Sequence, residues 1–219
     1  MKNKKGIIFD MDGTVWDSSE NVAKAWTVKV REAGFDKEIT RSDIQSVMGK
    51  PMDVIADMLF PYARKGKQRN ALREACENHE NDYLREHGGI LYPEVVETWE
   101  KLKKAGYHLY IVSNCQAGYI EAFLEYYKIG WGNPSCLIED IECYGNNFLQ
   151  KDENIRLLFE RNKLTHACYV GDIQSDYDAT MKAGLPFIHA AYGFGTIDAE
   201  VAKINQFSDL IDVVKEVLK

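Results

Sequence analysis

A short apolar run, Gly6-Ile7-Ile8-Phe9, ends abruptly on Asp10-Met11-Asp12-Gly13-Thr14. A run of this length without polar alternation reads as a parallel strand buried on both faces. Open α/β sheets place their ligands beyond the carboxyl ends of such strands. The chain is thereby constrained to a fold whose first strand delivers two carboxylates to the place where a site forms. Residues i and i+2 of an extended segment point to the same side, so Asp10 and Asp12 address one small polar group together. Like charges this close repel, which calls for a metal ion, a bound proton or both.

Later strands are predicted to end on polar residues in the same way. Tyr107 to Val112 runs into Ser113-Asn114, and Cys168-Tyr169-Val170 runs into Gly171-Asp172-Ile173-Gln174-Ser175-Asp176. Between them Lys151 opens an amphipathic segment with Ile155, Leu158 and Phe159 at helical spacing. Residues 16–88 carry 3.6-residue periodicity and no convincing strand: four helical stretches are expected, the third over Met52 to Phe60 and the last a long one ending near Gly88-Gly89. Strand and helix then alternate, with strands also expected at Phe187 to Ala190 and, paired or bent, from Leu137-Ile138 to Cys143-Tyr144. Gly145-Asn146-Asn147 reads as a turn. This alternation predicts an α/β fold: a Rossmann-like parallel sheet with helices on both faces, interrupted by an all-helical insertion.

The four strand-end and lysine signals, in this order, resemble the signature motifs of the haloacid-dehalogenase (HAD) superfamily, in its branch of phosphoglycolate-phosphatase-like and β-phosphoglucomutase-like members. The resemblance spans nearly the whole chain. It implies a core of residues 1–15 and 89–219 and a helical cap of residues 16–88, which helps choose the substrate and shields the reaction from water. It further implies a Mg²⁺-dependent phosphatase acting on a small phosphorylated metabolite, phosphoglycolate-like or a sugar or nucleotide phosphate, through an aspartyl-phosphate intermediate. In that reading Asp10 is the nucleophile and Asp12 the general acid and base. Thr14, Ser113, Asn114 and Lys151 bind the phosphoryl group. Asp10, Asp12 (through its backbone carbonyl) and Asp172 hold the metal, with Asp176 behind them, directly or through water. Gly49-Lys50-Pro51 resembles the family's specificity loop and places Lys50 toward a substrate anion. Asp12 separates the chain from the dehalogenase and phosphonatase branches, which lack a carboxylate there. A phosphomutase using the same intermediate is the nearest alternative. A receiver-type signalling module fits poorly, because its acidic residues are adjacent and no helical cap intrudes.

Composition narrows the partners. The formal net charge of −7, with no Lys/Arg run to offset it, disfavours nucleic acid and anionic membranes. The apolar run after the basic start is too short for a signal peptide, so the cytoplasm is expected, as a monomer or homodimer. Five cysteines without paired spacing and five scattered histidines indicate neither a disulfide framework nor a zinc site. Trp16 and Asp17 are candidates for the cavity wall, while Tyr192-Gly193-Phe194-Gly195 reads as a packed turn.

Overall fold

The computed structural model describes residues 3–219; Met1 and Lys2 of the basic start lie outside the described residues. Strand β1 (Lys5–Phe9) is followed by a two-residue strand β2 (Trp16–Asp17), then by helices α1 (Ser19–Glu32), α2 (Arg41–Val47), α3 (Met52–Leu59) and α4 (Lys67–His87). Strand β3 (Ile90–Leu91), α5 (Val95–Lys104), β4 (His108–Ser113) and α6 (Tyr119–Tyr126) come next. The chain continues through β5 (Asp140–Cys143), α7 (Tyr144–Asn147), α8 (Lys151–Arg161), β6 (His166–Gly171) and α9 (Gln174–Ala183). It closes with β7 (Phe187–Ala190), β8 (Ala202–Ile204) and α10 (Leu210–Val217).

Six strands form one sheet in the order β5-β4-β1-β6-β7-β8, every pairing parallel. Alternate residues of the central strands feed two separate cores. Ile7, Phe9, Leu109, Ile111, Cys168 and Val170 pack with residues of α5, α6 and α10. Ile8, Tyr110, Val112 and Tyr169 pack on the other side with Ile155 and Leu158 of α8 and Ala179 of α9. Burial on both faces is why these strands read as unbroken apolar runs. The chain fills β4 and β5 on one side of β1 and then β6, β7 and β8 on the other, so the crevice at the carboxyl end of β1 is flanked by the ends of β4 and β6. Among the described residues no helix is long and apolar enough to cross a membrane.

The insertion is helical because each segment carries a buried stripe with its own stop. Val22, Ala25, Trp26 and Val30 line one face of α1, and α2 starts on a capping box in which Thr40 and Asp43 satisfy each other's backbone amides. Helix α4 packs against α1 and α6, joining the insertion to the core.

Three details depart from expectation. The connectors into and out of the helical insertion pair as a two-stranded ribbon, Trp16 opposite Leu91 and Asp17 opposite Ile90, where no strand was expected. Leu137-Ile138 lies outside the strand, which spans Asp140–Cys143 alone, and the expected turn after it is a helical one. The Gly145 amide there donates to the Cys115 carbonyl at 3.0 Å, and a Cβ on Gly145 would lie 2.1 Å from the Ala117 nitrogen, so close docking on the adjacent loop bends the chain. Strand β8 was not anticipated; three residues are too few to show a period.

Candidate active site

The site forms at the carboxyl ends of β1, β4 and β6. Neighbouring strands lie about 4.8 Å apart, so side chains just beyond their ends meet. The Asp10 amide donates to the Val170 carbonyl at 2.9 Å, extending the β1–β6 ladder by one residue. The chain then turns, with the Thr14 and Val15 amides donating to the Met11 carbonyl at 3.1 and 2.8 Å. Gly13 sits at φ +84°, and a Cβ there would lie 2.1 Å from Asp172 Oδ2. Only glycine fits on both counts.

Asp10, Asp172 and Asp176, all buried, each offer a carboxylate oxygen within 4.8 Å of the other two. The Lys151 ammonium, equally buried, donates to Asp10 Oδ1 at 2.8 Å and to Asp176 Oδ1 at 2.6 Å. Asp176 Oδ2 accepts from the Asp172 and Ile173 amides at 3.2 and 3.3 Å, which fixes the loop that opens α9. Asp172 Oδ2 accepts from the Phe194 amide at 2.7 Å, and Thr14 Oγ1 lies 3.4 Å from Asp172 Oδ1. Tyr169 donates to the Val112 carbonyl at 2.7 Å and faces Asp10 Oδ1 at 3.3 Å.

Three buried carboxylates share one ammonium, so the cluster carries excess negative charge. Burial, then repulsion from Asp176, pushes the Asp10 carboxyl up to about 7 against the pull of Lys151. Asp172 is raised well above the carboxylate range by burial and by Asp176 and Asp10. Lys151 is held well above its ordinary value by the two aspartates, against the cost of its burial. A set of hard oxygen donors with uncompensated negative charge fits a small divalent cation such as Mg²⁺. A bound cation would pull these carboxyls back down.

Asp12 lies apart from this cluster. Tyr119 of α6 reaches its two oxygens at 2.9 and 2.7 Å, Ser18 donates to Oδ1 at 2.6 Å, and the two hydroxyls are themselves 2.7 Å apart. Burial pushes the Asp12 carboxyl up to about 6 while the hydroxyls pull it down. A group near 6 can both give and take a proton at neutral pH.

Ser113 and Asp12 face a cavity of about 50 Å³, roughly the room for four water molecules. Asn114, Cys115, Gln116 and Tyr119 of the core also line it, and the helical insertion adds Val22, Trp26, Val47, Met52 and Glu80 among others. Lys50 lines it too, exposed and without an ion pair among the described residues. Asn114 Nδ2 donates to the Gly49 carbonyl at 2.9 Å, so its side chain engages the insertion's loop. Of the predicted residues, the structure brings Asp10, Asp172, Asp176, Lys151 and Thr14 into direct contact, and gathers Asp12, Ser113, Asn114 and Lys50 around the adjoining cavity. Asp176, expected behind the ligands, is in direct reach, whereas the Asp12 carboxylate faces its two hydroxyls.

Sequence reading missed Ser18, Tyr119, Tyr169 and Glu80. No period or motif marks them; a carboxylate that must sit in a wall and needs donors was the available hint. Tyr192-Gly193-Phe194-Gly195, read as packing, also holds Asp172: a Cβ on Gly193 would lie 2.3 Å from Asp172 Cβ. Trp16 is buried against Tyr119 and Phe123 at ring distances of 5.6 and 4.9 Å, and Asp17 pairs with Arg41 at 2.6 Å; neither lines the cavity.

Residues 7–190 match the family model described as haloacid dehalogenase-like hydrolase. A phosphoglycolate phosphatase of Aliivibrio fischeri is 26% identical over 204 residues, covering 87% of this chain and 85% of that protein. Two of the solved structures that share the fold serve as examples. One is a hydrolase of the haloacid dehalogenase-like family from Streptococcus pneumoniae, at TM-score 0.77 and 19% identity over 98% of this chain and all of that one. The other is CbbY from Rhodobacter sphaeroides in complex with phosphate, at TM-score 0.75 and 19% identity over 94% and 95% of the two chains.

Proposed function

The chain belongs to the haloacid dehalogenase-like hydrolases, and from that premise we propose that it is a Mg²⁺-dependent phosphatase of small phosphomonoesters, working through an aspartyl phosphate on Asp10. The observation that carries the reading is the cluster of Asp10, Asp172 and Asp176 within 4.8 Å of one another, bridged by the buried Lys151.

The ionised Asp10 attacks phosphorus, and the ester P–O bond breaks as the Asp10–phosphorus bond forms. Asp12 gives its proton to the departing alkoxide. Water then attacks the phosphoaspartate, Asp12 takes the water's proton, and phosphate leaves with the Asp10 carboxylate restored. Lys151 orients Asp10 and offers positive charge to the phosphoryl oxygens. The hydroxyls of Thr14 and Ser113 serve as further donors, with amides near Asn114. Asp10, Asp172 and the Asp12 carbonyl would hold Mg²⁺, with Asp176 beside them; when bound it neutralises charge on the transferred group. Residues 16–88 act as a cap over a core of residues 1–15 and 89–219, with the β2–β3 ribbon as the joint and the Asn114–Gly49 hydrogen bond as a latch.

The test is release of inorganic phosphate from a panel of small phosphomonoesters, with Mg²⁺ and with chelator, for the native protein and Asp10→Asn. Magnesium-dependent release that the substitution abolishes is expected. Release at native rate from Asp10→Asn would end the reading.

A further inference from the structure

The cavity beside Asp12 has a polarity that narrows the substrate. Its walls are chiefly apolar, and among the described residues its charged side chains are Asp12, Glu80 and Lys50. Lys50 is exposed and also faces a neighbouring cleft. Glu80 of α4 is 3% exposed and accepts a hydrogen bond from the Trp26 indole N–H. Among the described residues, no arginine or histidine lines the cavity. Helix α4 is tied to the core beside this point, since Asn81 donates to the Ala117 carbonyl at 2.8 Å and accepts from Gln116 at 3.1 Å, so Glu80 is held in place.

We propose that this cavity selects a phosphomonoester whose alcohol portion is small and uncharged, with Glu80 as the specificity-determining residue that hydrogen-bonds a hydroxyl of that alcohol. The proposal rests on the phosphatase reading of the same site. Moving a carboxylate from water into an apolar cavity without a buried cation is strongly unfavourable. The lining offers no buried cation to offset that cost, since Lys50 is exposed, so an alcohol portion bearing its own carboxylate is turned away. A hydroxyl loses little on entry if a fixed polar group receives it, and a site built around such a bond penalises molecules that lack it. Burial pushes the Glu80 carboxyl up to about 8, so near neutrality it carries a proton and offers no anion to an ammonium group. The room available, about 50 Å³, suits a chain of a few non-hydrogen atoms.

The experiment compares kcat/KM of the native protein with Mg²⁺ for glycerol 1-phosphate, 2-phosphoglycolate and phosphoethanolamine, with acetyl phosphate as a substrate that carries no hydroxyl. Glycerol 1-phosphate should exceed both charged esters by at least tenfold. In Glu80→Leu the ratio of glycerol 1-phosphate to acetyl phosphate should fall at least tenfold, whereas Glu80→Gln, which keeps shape and polarity, should hold it within threefold. Equal or better use of 2-phosphoglycolate or phosphoethanolamine, or an unchanged ratio in Glu80→Leu, overturns the assignment. If Glu80→Leu does not fold, the native comparison decides alone. Absence of Asp10-dependent release from every compound of this panel would instead sink the phosphatase reading itself, and the inference with it.

Discussion

Lys151→Met isolates the electrostatic role of the bridging lysine. The change keeps the aliphatic stem and deletes an ammonium 2.8 Å from Asp10 and 2.6 Å from Asp176, in a place where all three groups are buried. Removing one partner of a buried ion pair costs about 3–5 kcal/mol, because it strands the remaining charge. Unfolding entropy for 219 residues is about 460 cal/mol/K, so this loss lowers Tm by about 7–11 °C. The penalty depends on ionisation. Asp10 already titrates up to about 7 with Lys151 pulling it down, and without that pull it rises further. A carboxyl raised above its unfolded value near 4 destabilises the fold above that value, and the penalty fades as pH falls through its folded value. Relative to the native protein, the deficit should therefore grow as pH rises above about 7, and be clearly larger at pH 8 than at pH 5. Millimolar Mg²⁺ should restore part of it at pH 8 by replacing the missing charge. Thermal unfolding followed by circular dichroism at both pH values, with Mg²⁺ and with chelator, measures this. A deficit of equal size at pH 5 and pH 8 would refute the charge argument and leave packing as the cause.

Three further substitutions probe the shell around the cluster. Tyr119→Phe removes a hydroxyl that pulls the Asp12 carboxyl down; kcat should fall about tenfold, one hydrogen bond to a charged group, and the limb of the pH–rate profile set by Asp12 should move to higher pH, which an unmoved limb would contradict. Gly193→Ala places a methyl 2.3 Å from Asp172 Cβ and 2.4 Å from the Gly13 carbonyl oxygen, so overpacking should cost about 1–3 kcal/mol, and the Mg²⁺ concentration giving half-maximal activity should rise several-fold. Asn114→Ala deletes the bond to Gly49 that latches the helical insertion; KM should rise several-fold while Tm changes by only a few degrees, about 1 kcal/mol.

What the sequence revealed follows from where its signals are local. The central strands were legible because burial on both faces leaves unbroken apolar runs, and the ends of β1, β4 and β6 were legible because each run stops on a polar group. The β2–β3 ribbon and β8 were not, since strands of two or three residues have no period and depend on partners far along the chain. The same division runs through the site. Asp10, Asp172 and Lys151 stand at element ends and could be placed from the sequence. Tyr119, 107 residues beyond Asp12, and Glu80, 54 beyond Trp26, meet their partners only through the packing of α6 and α4.

The spacing of Asp10 and Asp12 could show that two carboxylates face one crevice, but not that they differ. Asp10 meets an ammonium and two further carboxylates, whereas Asp12 meets two hydroxyls that serve either protonation state. An ammonium favours the anion, which suits a nucleophile once a cation relieves the crowding. Hydroxyls donate to a carboxylate and accept from a carboxylic acid, which suits a group that must gain and lose a proton in one cycle. The division of labour we propose for two like residues thus follows from their neighbours, and exchanging those neighbours, more than moving the aspartates, is what would erase it.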